Sequence, residues 1–420
     1  MASSRRVPLP AALQHFPFNL IRHVLPDESL VPTEGQRRAW KEACQQTDVL
    51  ADNLVKAFKA NGPKGRQQFN QAVEHGIETV KDPLPELVAY FQDLDNTPYW
   101  VDQRKIRIAQ EAMMRVPPEL LFVGLLSFAL PASYVSSKVN QTLARAGGLE
   151  VKAASRAVET TGWTMHLAQV GGLERFGNGF KGIAHVRLVH AFMRSGIQHV
   201  GNWDYENWDV PINQAQYALT LMPFLAGTLA ATLLGNLMSP REMDAILHLY
   251  RYVGHLMGVR AELQLTSISD LLKMFWLTGE TLIDPDQLTL QLNKALRDAS
   301  PLVLGLPSEG MLAKPVNWFA RQFMDNLGRM VIGPHYSDAL GIPKLTPMAP
   351  VVIGVIAARF AIDLPQHFIP GANKRRVARN MRRHDEFLAG AVKRVKADMS
   401  FNRDNARLNE KRIKAVAAVA

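Results

Sequence analysis

A single cysteine, Cys44, stands in a chain of 420 residues. One cysteine excludes an intrachain disulfide, and without a Cys-x-x-Cys pair the common zinc and dithiol motifs are excluded too; the usage suits a reducing compartment. Long strand-like alternation of apolar and polar residues is missing, as is any long internal repeat, which argues against a sheet protein or a solenoid. There is no glycine-rich phosphate loop, no nucleophile elbow and no paired Cys/His zinc motif. The N-terminus carries Arg5–Arg6, but prolines, His15 and Arg22 interrupt any apolar run behind it. Neither a signal peptide nor a twin-arginine export signal is expected, and the expected location is cytoplasmic.

What is present is a large hydrophobic fraction, 47%, ample for one big core or two. The net charge of +10 is uneven: residues 374–414 hold 14 Lys/Arg against 5 Asp/Glu, and the remainder holds 34 against 33. The basic balance therefore belongs to the C-terminal tail, where Val377, Met381, Leu388, Ala391 and Val395 recur at helical spacing. Such a tail is either a charged helix packed on the body or a contact for anionic lipid head groups. Nothing in it reads bases, so no specific nucleic-acid partner is expected. Caps and periodicity predict helices over 33–60, 101–116, 117–130, 152–170, 181–199, 213–238, 240–258, 261–274, 285–299, 314–331 and 347–361. The body is all-α. Residues 1–32 read as an extension, 33–362 as the main domain, and 363–420 as a linker and basic helical tail. Residues 214–240 lack charge for more than a span's length. Pro223 and scattered Gly, Thr, Asn and Gln favour core helices over a membrane segment.

The chemistry lies in KGIAHVRLVHAFMRSGI, residues 181–197. Arg187, His190 and Arg194 fall within about 60° of arc on an otherwise apolar helix. Two buried guanidiniums need anions, because an unpaired buried charge is very costly. Acidic side chains within the bundle supply such anions. So does heme b, with iron for the imidazole and two propionates for the arginines. On the preceding helix, Arg156, Glu159, Thr160, Trp163 and Leu167 share about 100° of arc, a mixed polar and aromatic stripe able to face a flat macrocycle.

Four stretches in order resemble the family of latex-clearing proteins (rubber oxygenases) and MpaB-type oxygenases: Arg156-x-x-Glu159-Thr160; Arg187-x-x-His190-Ala191-x-x-Arg194; Val210-Pro211-Ile212-Asn213-Gln214 with Thr220 and Phe224; and Tyr250-Arg251-Tyr252-x-Gly254-x-x-x-Gly258. Together they cover about residues 100–360. The resemblance implies a globin-like helical core holding heme b, with His190 as the proximal iron ligand. It also implies Arg187 and Arg194 holding the heme and its propionates, and Arg156 and Thr160 on the distal side. Its latex-clearing members carry a lysine where this chain has Glu159. The departure puts a reversible amine cap on the iron in doubt and leaves Glu159 as a general base or as the salt-bridge partner of Arg156.

The implied activity is O2-dependent oxidation of a hydrophobic substrate, by analogy oxidative cleavage of an isoprenoid alkene. A non-enzymatic heme or lipid-binding protein on the same scaffold is the alternative. Leu, Met and Phe residues in 117–130 and 217–238 are candidates for an apolar channel. His166, His185, His199, His248 and His255 read as structural, and Trp203 and Trp208 as anchors of a long loop.

Overall fold

The computed structural model describes residues 30–145 and 152–399, with short stretches between residues 10 and 26. Among the described residues, eight helices start where a side chain takes up orphan N–H groups of the first turn. Helix α1 (Glu34–Ala43) opens on a Thr33/Gln36 capping box. Helix α2 (Val49–Asn61) opens on Asp48, and Pro63 begins α3 (Pro63–His75). Then come α4 (Pro85–Asp95) and α5 (Gln103–Met114), the latter capped by Asp102. After Pro117, α6 (Pro118–Gly124), a π-helical turn (Leu125–Ala129) and α7 (Leu130–Ser133) run on together at 94° to α5.

Next are α8 (Ser137–Arg145), α9 (Ala153–Ala168), the long α10 (Asn178–Val200) and the single turn α11 (Tyr205–Trp208). Asn213 caps α12 (Gln214–Ala230), and a Ser239/Glu242 box with Pro240 in the first turn starts α13 (Pro240–Leu256). The last third comprises α14 (Ile268–Thr281), α15 (Gln287–Leu304), α16 (Ala313–Ile332), α17 (Pro334–Ala339), α18 (Ala349–Gln366) and α19 (Ala372–Val395). Among the described residues the fold is all-α, without a strand; one isolated bridge joins Ser136 and Asp284.

Helix α10 runs through the middle, packed by α2, α9 and α13, while α12 lies against α13 and α5 against α13. One continuous core joins them, from Trp40 through Leu188 and Leu249 to Leu388. The uncharged 214–240 stretch is core: Ala215, Leu219, Met222 and Leu225 are all buried on α12.

Several boundaries differ from expectation: the helix expected over 261–274 is Ile268–Thr281, and the one expected over 213–238 ends at Ala230. The stretch 33–60 is two helices, broken at 44–48 where Asp48 caps α2; the break turns Asp48 and Asp52 toward α10. The linker expected over 363–373 is shorter than that, residues 367–371, since α18 runs through Gln366 and α19 begins at Ala372. Helix α19 follows the first of the two readings of the basic tail, a charged helix packed on the body. It packs on α9, α15, α5 and α6, and buries Arg376, Asn380, His384, Leu388 and Ala391. Its charges cover the solvent face of a helix packed on the body, and the part of the basic segment beyond residue 399 lies outside the described residues.

Candidate functional site

A cavity of about 380 Å³ lies between α9, α10 and α12, with α7 and α8 closing one side. That volume falls in the range of pockets that hold small molecules and cofactors. From α9 it takes Arg156, Glu159, Thr160 and Trp163, so the mixed stripe read in the sequence is one wall; Leu167 is buried elsewhere in the core. From α10 it takes Val186, Val189, His190 and Met193, and from α12 Gln216, Tyr217, Thr220 and Phe224.

His190 presents an imidazole with no protonation partner. Its Nδ1 is buried without a hydrogen bond. Burial, then the nearby Arg194 charge, push its pKa down to about 4, against a smaller opposite pull from Asp48. The ring is therefore neutral at pH 7, the form that binds metals. It lies 5.3 Å from the Tyr217 ring. Three more enclosed polar atoms on this wall lack partners, Trp163 Nε1, Gln216 Nε2 and Thr142 Oγ1, while the Tyr217 hydroxyl is within reach of Arg194. Buried polar groups are almost always satisfied, and so many orphans around one cavity mark a place built for an occupant.

Arg187 and Arg194 are placed differently from what the family resemblance implies. Neither lines the cavity. Arg187 donates from Nε to Asp48 Oδ2 at 2.6 Å and from Nη2 to Asp48 Oδ1 at 3.0 Å, while Nη1 reaches Asp93 at 2.7 Å. Arg194 binds Asp52 from Nε and Nη2 and donates from Nη1 to the Ile212 carbonyl at 2.9 Å. Both are buried. The reason is angular: 60° of helix is enough to turn His190 to the cavity while the arginines face α2. The acidic-partner reading of these arginines is what the fold contains, and their guanidiniums are not directed at a cavity ligand.

The same arginines explain two of the motifs. Ile212 holds a positive φ of 52°, which aims its carbonyl at Arg194. Asn213 caps α12, and Gln214 bridges the Gly258 carbonyl and the Arg260 N–H. Gly258, at φ 78°, lies so close to Arg187 that a Cβ there would meet its Nε at 2.7 Å. These residues build the frame behind the ligand helix rather than the site itself.

Glu159 and Arg156 form no salt bridge. Instead Glu159 Oε1 accepts the Asp398 N–H at 3.3 Å. Arg156 stands on the cavity wall near Tyr134, whose hydroxyl pKa is raised by burial and eased down by that cation. Thr160 is on the same wall. Sequence reasoning missed the aspartates, because Asp48, Asp52 and Asp93 lie far from α10 along the chain.

The other histidines serve the framework where bonds are seen. His248 accepts the Asp102 N–H at 2.9 Å, and His185 packs edge-on to Phe69. Trp203 and Trp208 pack edge to face on each other, both rings lie about 5 Å from the Arg145 guanidinium, Trp203 donates to the Asp209 carbonyl, and neither lines the cavity. Among the described residues no group of three or more His, Cys, Asp or Glu is placed to hold a metal ion. A second apolar cavity of about 130 Å³ is walled by Leu120, Leu121, Leu125, Phe128, Gly227 and Thr228, the two segments expected to form a channel. It shares Phe224 with the main cavity.

The model of the catalytic domain described as "ER-bound oxygenase mpaB/B'/Rubber oxygenase" matches residues 119–362. The chain belongs to the mpaB/rubber oxygenase family. The match spans α6 to α18 and includes α9, α10 and α12, so this family's catalytic domain contains the cavity and His190. Membership makes the protein an enzyme of the oxidoreductase class. A solved structure entitled "Structure of Latex Clearing Protein LCP in the closed state" shares the fold, with a TM-score of 0.59 over 83% of this chain and 91% of that one, at 16% identity. No protein in the curated set matches. Helices α1 to α5 and α19 lie outside the family match, yet the likeness to the solved structure covers 83% of the chain and so extends beyond residues 119–362.

Proposed function

We propose that this chain is a heme-b-dependent oxygenase acting on a hydrophobic, isoprenoid-like alkene with O2 as co-substrate, by analogy through oxidative C=C cleavage. The observation that carries the reading is His190: a neutral imidazole without a hydrogen-bonding partner at Nδ1, on the wall of a cavity ringed by unsatisfied polar atoms. The donor set fits heme, which asks one axial nitrogen of the protein rather than a cluster. His190 would hold the iron through its imidazole. Among the arginines, Arg156 stands on the wall and would meet a propionate. Arg187 and Arg194 would act as positioning residues, locking α10 against α2. Bound there, heme supplies the iron that binds and activates O2.

The chain's own contribution is exclusion of water, by Trp163, Tyr217 and Phe224, and polarity at one end, by Thr160 and Glu159. With a carboxylate where the family resemblance implies an amine, Glu159 would take up a proton on its Oε atoms rather than cap the iron. That same substitution is what favours the second reading, a heme or lipid-binding protein without turnover.

Purified protein expressed with ample hemin should show a Soret band, and His190→Ala should lose it while keeping its helical circular dichroism. A colourless, folded wild type overturns the heme reading. Oxygen uptake with polyisoprene or prenylated small molecules separates enzyme from binder.

A further inference from the structure

The most exposed apolar element is α18, not the uncharged stretch that the sequence brings forward as a membrane candidate. Its 18 residues have a mean hydropathy of 1.4, and only 11% of them are buried. Ile353 is 58% exposed, and Ile362 and Leu364 are also exposed; Phe368, at 78%, and Ile369 extend the surface past the helix end. Helix α16, packed beside α18, exposes Trp318 and Phe319. A contiguous apolar surface of this kind is not normal for a protein surrounded only by water.

Charge selects the partner. From Lys344 to Arg382 there are seven Lys/Arg and one acidic residue, Asp363. Asp363 is buried and paired with Arg376, so within this stretch no exposed carboxylate accompanies Lys374, Arg375, Arg379 and Arg382 on α19; the exposed Asp385 and Glu386 follow one turn after Arg382. An apolar face fringed by cations is the pattern of an element that lies in the interface of an anionic bilayer. A second copy of the chain fits worse, because mating two such faces brings two basic fringes together. Spanning fits worse too. Val352 is fully buried against Leu327 and Val331 of α16, and the Asp363–Arg376 pair ties the far end of α18 to α19.

We infer that α18, with Phe368, Ile369 and the basic first half of α19, is an interfacial docking surface for anionic lipid membranes. The inference does not depend on heme. It does bear on access: Val355, exposed on α18, is also on the wall of the smaller apolar cavity, which meets the His190 cavity at Phe224. Docking thus sets one wall of the smaller apolar cavity, at Val355, toward the bilayer, where lipid-soluble molecules concentrate.

The test is sedimentation of the full chain with vesicles of phosphatidylcholine, with and without one-third phosphatidylserine. Binding should favour the anionic vesicles and weaken with salt. Ile353→Glu with Phe368→Glu, both at exposed positions, should lower vesicle binding about tenfold or more without changing the fold. Replacing Lys374, Arg375, Arg379 and Arg382 by Gln should abolish the preference for phosphatidylserine. Absence of binding to either vesicle, or equal binding by wild type and the Glu variant, overturns the proposal. So does a concentration-dependent dimer that Ile353→Glu abolishes, which assigns the face to a second copy.

Discussion

Arg187 and Asp48 meet fork to fork in the core, through Nε–Oδ2 at 2.6 Å and Nη2–Oδ1 at 3.0 Å, with both side chains nearly fully buried. The pair fastens α10, which carries His190, to the start of α2. Desolvation opposes the Arg187 charge, but Asp48 more than offsets it, and the guanidinium pKa is raised. Breaking one partner of such a pair leaves an uncompensated charge in low dielectric. Asp48→Asn preserves the helix cap, since Asn caps as well as Asp, and so isolates the charge. It should cost about 3–5 kcal/mol in urea unfolding. A loss below about 1 kcal/mol would mean that Asp93 alone carries Arg187.

Gly258 closes the other side of the same guanidinium. A methyl group there is penalised twice, by the φ of 78° and by contact with Arg187 at 2.7 Å. Gly258→Ala should therefore destabilise by about 2–4 kcal/mol. If a heme band is present in the wild type, it should broaden or shift in this variant, because the guanidinium and α10 are displaced together. Thermal melting and the visible spectrum read the two effects separately.

Acid should weaken the heme-free fold before its carboxylates titrate. His190 is pushed down to about 4 by burial, then by Arg194, and His185 to about 4 by burial, then by Arg66. Unfolded histidine titrates near 6.5, so between pH 6.5 and about 4 the unfolded chain binds more protons, and stability falls as pH falls. Each residue contributes at most on the order of 3 kcal/mol to that loss. His190→Gln should flatten the fall in urea midpoint between pH 7 and pH 4.5. An unchanged slope would place the acid sensitivity elsewhere.

Helix α19 should prove inseparable from the body. Asn380 donates to the Met114 and Arg115 carbonyls at 3.0 Å, His384 Nε2 lies 2.8 Å from the Val116 carbonyl, and Arg376 is buried against Asp363. Gly162 of α9 lets α19 come close, since a Cβ there would meet Leu388 at 2.9 Å. Gly162→Val should cost about 2 kcal/mol or more through overpacking, despite the better helix propensity of Val. Arg376→Met, which leaves the buried Asp363 with only the Leu237 N–H and His367 as partners, should cost about 3 kcal/mol. Limited proteolysis of either variant should cut first near 367–371, where α18 ends and α19 begins.

Helix identity was legible where start signals and periodicity coincide, as at Thr33 and Pro240. The stripe of α9 was legible as well, because its polar and aromatic residues follow one face and that face lines the cavity. The linker at 363 was misread: Pro365 looks like a terminator, yet it sits in the last turn of a helix that began at Ala349. The exposed side of α18 was not legible at all, since an apolar 18-residue run looks the same in a core and on a surface.

By itself the sequence determined an all-α chain, the family, and the set of side chains on α9 and α10, because helical geometry and motif spacing are local. Only the tertiary structure decided what those side chains face. Arg187, His190 and Arg194 share a stripe, but aspartates from α2 and α4, distant in the chain, claim the arginines and leave the imidazole to the cavity. Charge pairing across a core depends on which helices meet, and that is set by packing rather than by any local pattern.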